Sequence, residues 1–174
     1  GASSTTDERK GFGYLIKALK LLSKDKLIDN NSVIIVTAGK FISREVFKNI
    51  TLPHKHIGYL NGNTELAKAY QIATMFVSPS IEDSGPMMIN ESIMCGTPVV
   101  SFKMGVAEDL VFNGTTGYIA ELKNVEDLAN GIAMIINLNN KKYKKMKENC
   151  REIGLQKCST AVQVNKLISL MDDK

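Results

Sequence analysis

Two carboxylates, Asp83 and Glu91, stand eight positions apart within residues 79–100, PSIEDSGPMMINESIMCGTPVV. Ser80, Ser84 and Gly85 are turn or cap residues, and Pro86 suits a first helical turn because it surrenders no needed N–H. The free backbone N–H groups near Ser84, Gly85, Met87 and Met88 then face an incoming anion or sugar hydroxyl, aided by the positive end of the helix dipole. Asp83 lies just before this helix and Glu91 in its second turn. Five helical residues rise roughly 7–8 Å, so the two carboxylates can hold different parts of one extended ligand. One can accept both hydroxyls of a ribose diol while the other contacts sugar hydroxyls at the reacting end. A second charged pair, Arg9-Lys10, follows the polar loop Ser3, Ser4, Thr5, Thr6 and Asp7. At the mouth of a parallel sheet such a pair neutralises a diphosphate, Arg by its fork and Lys as a point charge. Taken singly, each of these residues also reads as an ordinary solvated or dipole-complementing charge.

The elements that must position these groups alternate in type. Leu15, Ala18, Leu19 and Leu22 fall at helical spacing, which predicts an amphipathic helix over 11–23. The β-branched run 33–37, closed by Gly39, reads as a buried parallel strand. A second strand is expected at 57–60, then a helix over 64–73 with Leu66 and Tyr70 facing inward. A strand at 75–78 leads into a helix over 86–95, stopped by Gly96, and a strand at 98–102. A short strand at 117–120 and helices near 125–138, 141–153 and 160–171 complete the reading. Strands alternating with helices imply a Rossmann-like, doubly wound α/β domain with a parallel sheet, whose ligands bind beyond the carboxyl ends of the strands.

Composition narrows the class. With 44% hydrophobic and 23% charged residues among 174, the chain can bury a full core as one domain. Its net charge of +4 suits an anionic small ligand and is too small to argue for nucleic acid. Cys95, Cys150 and Cys158 form no C-x-x-C pair, which points to a reduced, cytoplasmic compartment. His54 and His56 have no Cys or carboxylate cluster near them in sequence, so no metal site is expected. The lysines at 141, 142, 144, 145 and 147 read as the solvated face of a helix whose buried stripe is Tyr143, Met146 and Cys150. No apolar run is long enough to span a membrane. The abrupt start at Gly1-Ala2-Ser3-Ser4 raises the expectation of a domain excised from a longer protein.

The string at 79–100 resembles the signature of the family 4 glycosyltransferases, within the glycosyl transferases group 1. Pro79-Ser80, Glu91 and Cys95-Gly96-Thr97-Pro98-Val99-Val100 match its Pro-Ser, its E-x7-E pair and its small-residue turn into Pro-Val-Val. Asp83, with Glu82 beside it, takes the place of the first glutamate, as in a branch that reads Glu-Asp there. Lys10-Gly11, Leu15-Ile16 and Ala18-Leu19 resemble the family's K-G-x-x-x-L-I-x-A-L helix. Thr5 stands where many members carry arginine, and Arg9 is the substitute charge. Residues 104–108 resemble a G-G-x-P-E turn with two of its residues changed.

The resemblance implies the GT-B fold of two facing Rossmann-like domains, with residues 1–174 as the C-terminal donor-binding half and an N-terminal acceptor domain outside the sequence. It implies a retaining glycosyltransferase that moves a sugar from a nucleoside diphosphate to an acceptor hydroxyl, in cell-surface polysaccharide or glycolipid synthesis. By resemblance Asp83 contacts the donor sugar, Glu91 the ribose, and Lys10 the diphosphate; Arg9, Ser84, Gly85, Met87 and Met88 complete the donor site. No cofactor or divalent metal is required. The partners implied are the nucleotide sugar, the N-terminal domain and a saccharide or lipid-linked acceptor, with the enzyme cytoplasmic or peripheral at the inner membrane face. The isolated domain is expected to be nearly inactive. The competing readings are a sugar-nucleotide epimerase of the same fold and a non-catalytic nucleotide-binding module.

Overall fold

The computed structural model describes residues 7–39, 48–83 and 87–172. The chemistry of the sheet is plainest in the strand Val99–Phe102, whose four residues are all buried. A strand of this kind must be covered on both faces, because successive side chains point in opposite directions.

In chain order, a 3-10 turn Glu8–Lys10 leads into helix α1 (Phe12–Lys24), followed by strands β1 (Ile35–Thr37) and β2 (His54–His56). Helix α2 (Asn63–Ile72), strand β3 (Phe76–Ser78) and helix α3 (Met87–Met94) precede β4 (Val99–Phe102). Helix α4 (Ala107–Leu110), strand β5 (Gly117–Ala120) and helices α5 (Val125–Ile136), α6 (Asn140–Cys158) and α7 (Thr160–Asp172) follow. Among the described residues every strand pair is parallel: β1 with β2, and β4 between β3 and β5.

The two faces of β4 carry separate cores. Val100 and Phe102 join Leu19 and Leu22 of α1 and Leu128 and Ile132 of α5 in one cluster. Val99 joins Ile89 and Ile93 of α3, Leu110 of α4 and Cys150 of α6 in the other. Each such side chain contributes roughly 1.5–3 kcal/mol when fully buried. Helices therefore cover both faces, and the doubly wound α/β arrangement read from the sequence is the one observed.

Two element boundaries differ from expectation. The second strand lies at His54–His56 and not at 57–60, because its parallel register sets Ile35 opposite His54 and Thr37 opposite His56. Gly58, at φ 75, turns the chain just beyond it. Hydrophobicity does not mark this strand, since His54 and Lys55 are exposed. Helix α6 continues past 153 to Cys158, because Gly154 does not end it. Instead Gly154 is a contact point on α3, where a Cβ would lie 2.9 Å from Met94 Cα and 3.2 Å from the Ile93 carbonyl carbon.

The lysine-rich helix follows its sequence reading. Met146 and Cys150 are buried and Tyr143 is half-buried, while the lysines at 141, 142, 144 and 145 face solvent. Burial pushes the Cys150 thiol up to about 12, and its Sγ–H donates to the Thr116 carbonyl. Gly154→Ala sets a helix-propensity gain of about 1 kcal/mol against an overpacking cost of about 1–3 kcal/mol. The rigid backbone opposite favours the cost. Urea unfolding of this variant should show a net loss on the order of 1 kcal/mol; a gain in stability would mean that α3 and α6 can separate freely.

Candidate functional site

The site begins at the turn before α1. Asp7 caps this turn, accepting from the Arg9 backbone N–H at 3.0 Å and from the Arg9 guanidinium at 3.1 and 2.9 Å. The hydrogen-bonded guanidinium holds the Asp7 carboxyl below its ordinary range, and the carboxylate raises Arg9 in return. The exposed arginine thus has a local counterion in Asp7.

Gly11 then makes the close approach on which the site rests. It adopts φ 65, in the left-handed region, and a Cβ there would lie 1.7 Å from the Pro79 carbonyl oxygen. Beside this contact the Arg9 carbonyl accepts from the Ile81 N–H at 2.8 Å and the Glu82 N–H at 3.4 Å. The loop leaving β3 is thus stitched to the turn entering α1. Lys10 Nζ consequently donates to Asp83 Oδ2 at 2.6 Å, across 73 residues of chain. Both side chains are largely buried, at 26% and 16% exposure.

Around this pair lies a pocket of about 520 Å³, lined by Arg9, Lys10, Glu82, Asp83 and Met104. Gly105, next to Met104, approaches the Asp83 carbonyl closely, with φ 52 and room for only a hydrogen: a Cβ would sit 2.9 Å from that oxygen. The pocket brings two cations and two carboxylates together. An anion entering it can share Lys10 with Asp83, because an ammonium has three donors.

Glu91 stands apart from this lining, in the second turn of α3. It is half-buried, and its Oε2 accepts the Tyr70 hydroxyl at 3.0 Å. Burial, then the nearby Glu91 charge, pushes the Tyr70 phenol well above its ordinary value, so it remains a donor. Met87, exposed, and Met88, half-buried, precede Glu91 by four and three residues and share its side of the helix. Ser84, Gly85, Pro86 and Thr5 lie outside the described residues. The structure therefore brings Arg9, Lys10 and Asp83 into one pocket and places Met87, Met88 and Glu91 on the adjoining helix.

Three neighbours escaped the sequence reading. Asp7 was read only as part of a polar loop, although an acid two residues before Arg9 signals a cap. Tyr70 was read as an inward-facing position, and nothing local tied it to Glu91. Met104 belongs to the 104–108 turn, to which the sequence assigns no ligand, yet it lines the pocket. His56 Nδ1 pairs with the Thr37 hydroxyl at 3.1 Å. Among the described residues no group of three His, Cys, Asp or Glu side chains is placed to hold a metal ion.

A charged pocket at the strand ends of a doubly wound sheet defines a Rossmann-like ligand-binding domain. Residues 3–153 match the family model for glycosyl transferases group 1, and the chain belongs to that family. An uncharacterized glycosyltransferase of Haemophilus influenzae is 26% identical over 156 residues, 85% of this chain and 43% of that protein. The Escherichia coli UDP-Gal:alpha-D-GlcNAc-diphosphoundecaprenol alpha-1,3-galactosyltransferase is 22% identical over 92% of this chain and 41% of its own length. The chain thus spans less than half the length of these relatives. Among solved structures, Anabaena HepE in complex with UDP and glucose shares the fold, with TM-score 0.77 and 20% identity over 98% of this chain and 47% of that one. This α/β fold is accordingly one that GT-B-type glycosyltransferases share.

Gly11→Ala must break the Pro79 contact and strain the backbone, and should destabilise the fold by more than about 2 kcal/mol in chemical denaturation. At pH 10, the midpoint of an ordinary phenol, Tyr70 should remain protonated. Phenolate absorbance at that pH should be the same in Tyr70→Phe as in the native chain; a drop by one tyrosine would show the phenol to be solvated.

Proposed function

We propose that this chain is the nucleotide-sugar-binding part of a longer, retaining glycosyltransferase. The observation that carries the reading is the Lys10–Asp83 pair at 2.6 Å, set with Arg9 in one pocket at the strand ends. In this reading the donor diphosphate takes Arg9 and shares Lys10 with Asp83. Backbone N–H groups in the first turn of α3, at Met87 and Met88, add to the anion's stabilisation. Asp83 orients the sugar, Glu91 accepts the ribose hydroxyls, and Met87 and Met88 line the approach between them.

Charge develops on the departing diphosphate and on an oxocarbenium-like sugar as the bond breaks. Arg9 and Lys10 stabilise the first and Asp83 the second, by charges already in place. No divalent cation is invoked. Retention is assigned to a front-side path in which the leaving phosphate helps take the acceptor's proton. Asp83 is the carboxylate assigned to the sugar, and no pair of carboxyls flanking the bond, as in a retaining glycosidase, is invoked.

The remainder of the enzyme, an N-terminal domain, supplies the acceptor side, and this chain alone binds donor weakly and transfers little. The UDP held by the Anabaena structure and named for the Escherichia coli relative supports a nucleoside-diphosphate donor. The lipid-diphosphate acceptor in the latter's name supports polysaccharide or glycolipid synthesis at the cytoplasmic membrane face. No described helix is long and apolar enough to cross a membrane; surface attachment is the proposed mode.

The test is calorimetry with UDP-, GDP- and ADP-sugars on the full-length enzyme, followed by transfer assays with the donor that binds. Lys10→Ala and Glu91→Ala should each lower transfer by about 10²-fold. Native activity in both variants would overturn the assignment.

A further inference from the structure

Tyr70 sits in the last turns of α2, outside the pocket, with a side chain that does two separable things. Its ring packs edge-on against Phe76 of β3, with centroids 5.6 Å apart and planes at 86°. Its hydroxyl goes to the Glu91 carboxylate at 3.0 Å, the one group from which that carboxylate accepts among the described residues. Packing alone needs only the ring. The hydroxyl makes a charge-assisted bond to a carboxylate, which is shorter and stronger than a neutral one and directional.

The backbone of Tyr70 is itself held. Thr97 Oγ1 donates to the Tyr70 carbonyl at 2.7 Å, and Ser92 Oγ donates to the Thr97 carbonyl at 3.1 Å. Thr97 is buried in the turn that follows α3, and its N–H bonds the Ser92 carbonyl at 2.9 Å. Tyr70 and Glu91 are therefore tied at two levels. The hydroxyl grips the carboxylate, and the Gly96-Thr97-Pro98 turn ties the end of the Glu91 helix back to the Tyr70 main chain.

We infer that Tyr70 is a positioning residue, whose hydroxyl holds Glu91 in the orientation that receives the donor ribose. The inference rests on the reading of Glu91 given above. With Oε2 occupied by Tyr70, the rotation of the carboxylate is restricted and Oε1 is the oxygen presented to the ribose. A glutamate on an unbraced helical turn would have to lose that rotational freedom on binding; here the fold has already removed it.

A double-mutant cycle tests this on the full chain, with binding followed by NMR titration. UDP, GDP and ADP are titrated first, and the tightest is then compared with its 2′-deoxy counterpart. The native chain should prefer the ribonucleotide. Tyr70→Phe, which retains the ring and the Phe76 contact, should shrink that preference by about five- to tenfold. In a Glu91→Ala background the same change should have no further effect, whereas a loss of general structural support would weaken binding equally in both backgrounds. If Tyr70→Phe does not fold, Thr97→Val loosens the Tyr70 main chain without touching its ring and should shrink the preference in the same direction. An unchanged preference in the folded variants, or an effect of Tyr70→Phe that persists without Glu91, overturns the positioning role and leaves the donor-binding reading standing. Failure of the native chain to bind any of the three nucleotides removes both.

Discussion

The contact between Gly11 and the Pro79 carbonyl organises the site. It places the turn before the first helix directly on the loop that leaves β3, closer than any side chain permits. The Arg9 carbonyl then collects the loop's N–H groups, and Lys10 reaches Asp83. Each of these is an ordinary interaction. Together they convert two distant stretches of chain into opposite walls of one pocket, and the doubly wound sheet makes this possible because both stretches arrive at the same end of the strands.

A second brace stands on the other side of β3. The turn after α3 holds the end of α2 through Thr97, and α2 in turn holds Glu91 through Tyr70. The lysine-rich helix adds to this, since the Tyr143 hydroxyl donates to the Thr74 carbonyl, in the connection from α2 to β3, and Lys147 to the Gln71 carbonyl in the last turn of α2. Part of that basic helix thus supports the site from behind while its remaining lysines face solvent. The buried face of α3 rests on β4 and α6, so Glu91 is carried by an element with little freedom to move.

The charges are arranged in pairs. Arg9 has Asp7 and Lys10 has Asp83, so neither cation stands without a counterion before a ligand arrives. A diphosphate entering such a pocket joins existing pairs instead of neutralising isolated charges. This lowers the cost of holding two cations together in the empty site. It also couples the anion to Asp83: the group assigned to the sugar and the group assigned to the phosphate share a hydrogen bond from the outset.

Much of this was legible in the residues. The helical spacing of Leu15, Ala18, Leu19 and Leu22, the β-branched runs and the Pro-Val-Val strand determined the alternation of elements, because burial on a helix stripe or a two-sided strand leaves a periodic mark. Asp83, Glu91, Arg9 and Lys10 stood out for the same local reason: charge and turn chemistry concentrated at strand-to-helix junctions. The strand His54–His56 left no such mark, being polar and largely exposed, and only its pairing with Ile35–Thr37 located it. The Lys10–Asp83 and Tyr70–Glu91 contacts were decided by the tertiary structure alone. They join residues 73 and 21 positions apart, and a hydrogen bond between side chains at that separation depends on how two loops cross, which no local pattern of hydrophobicity or propensity encodes.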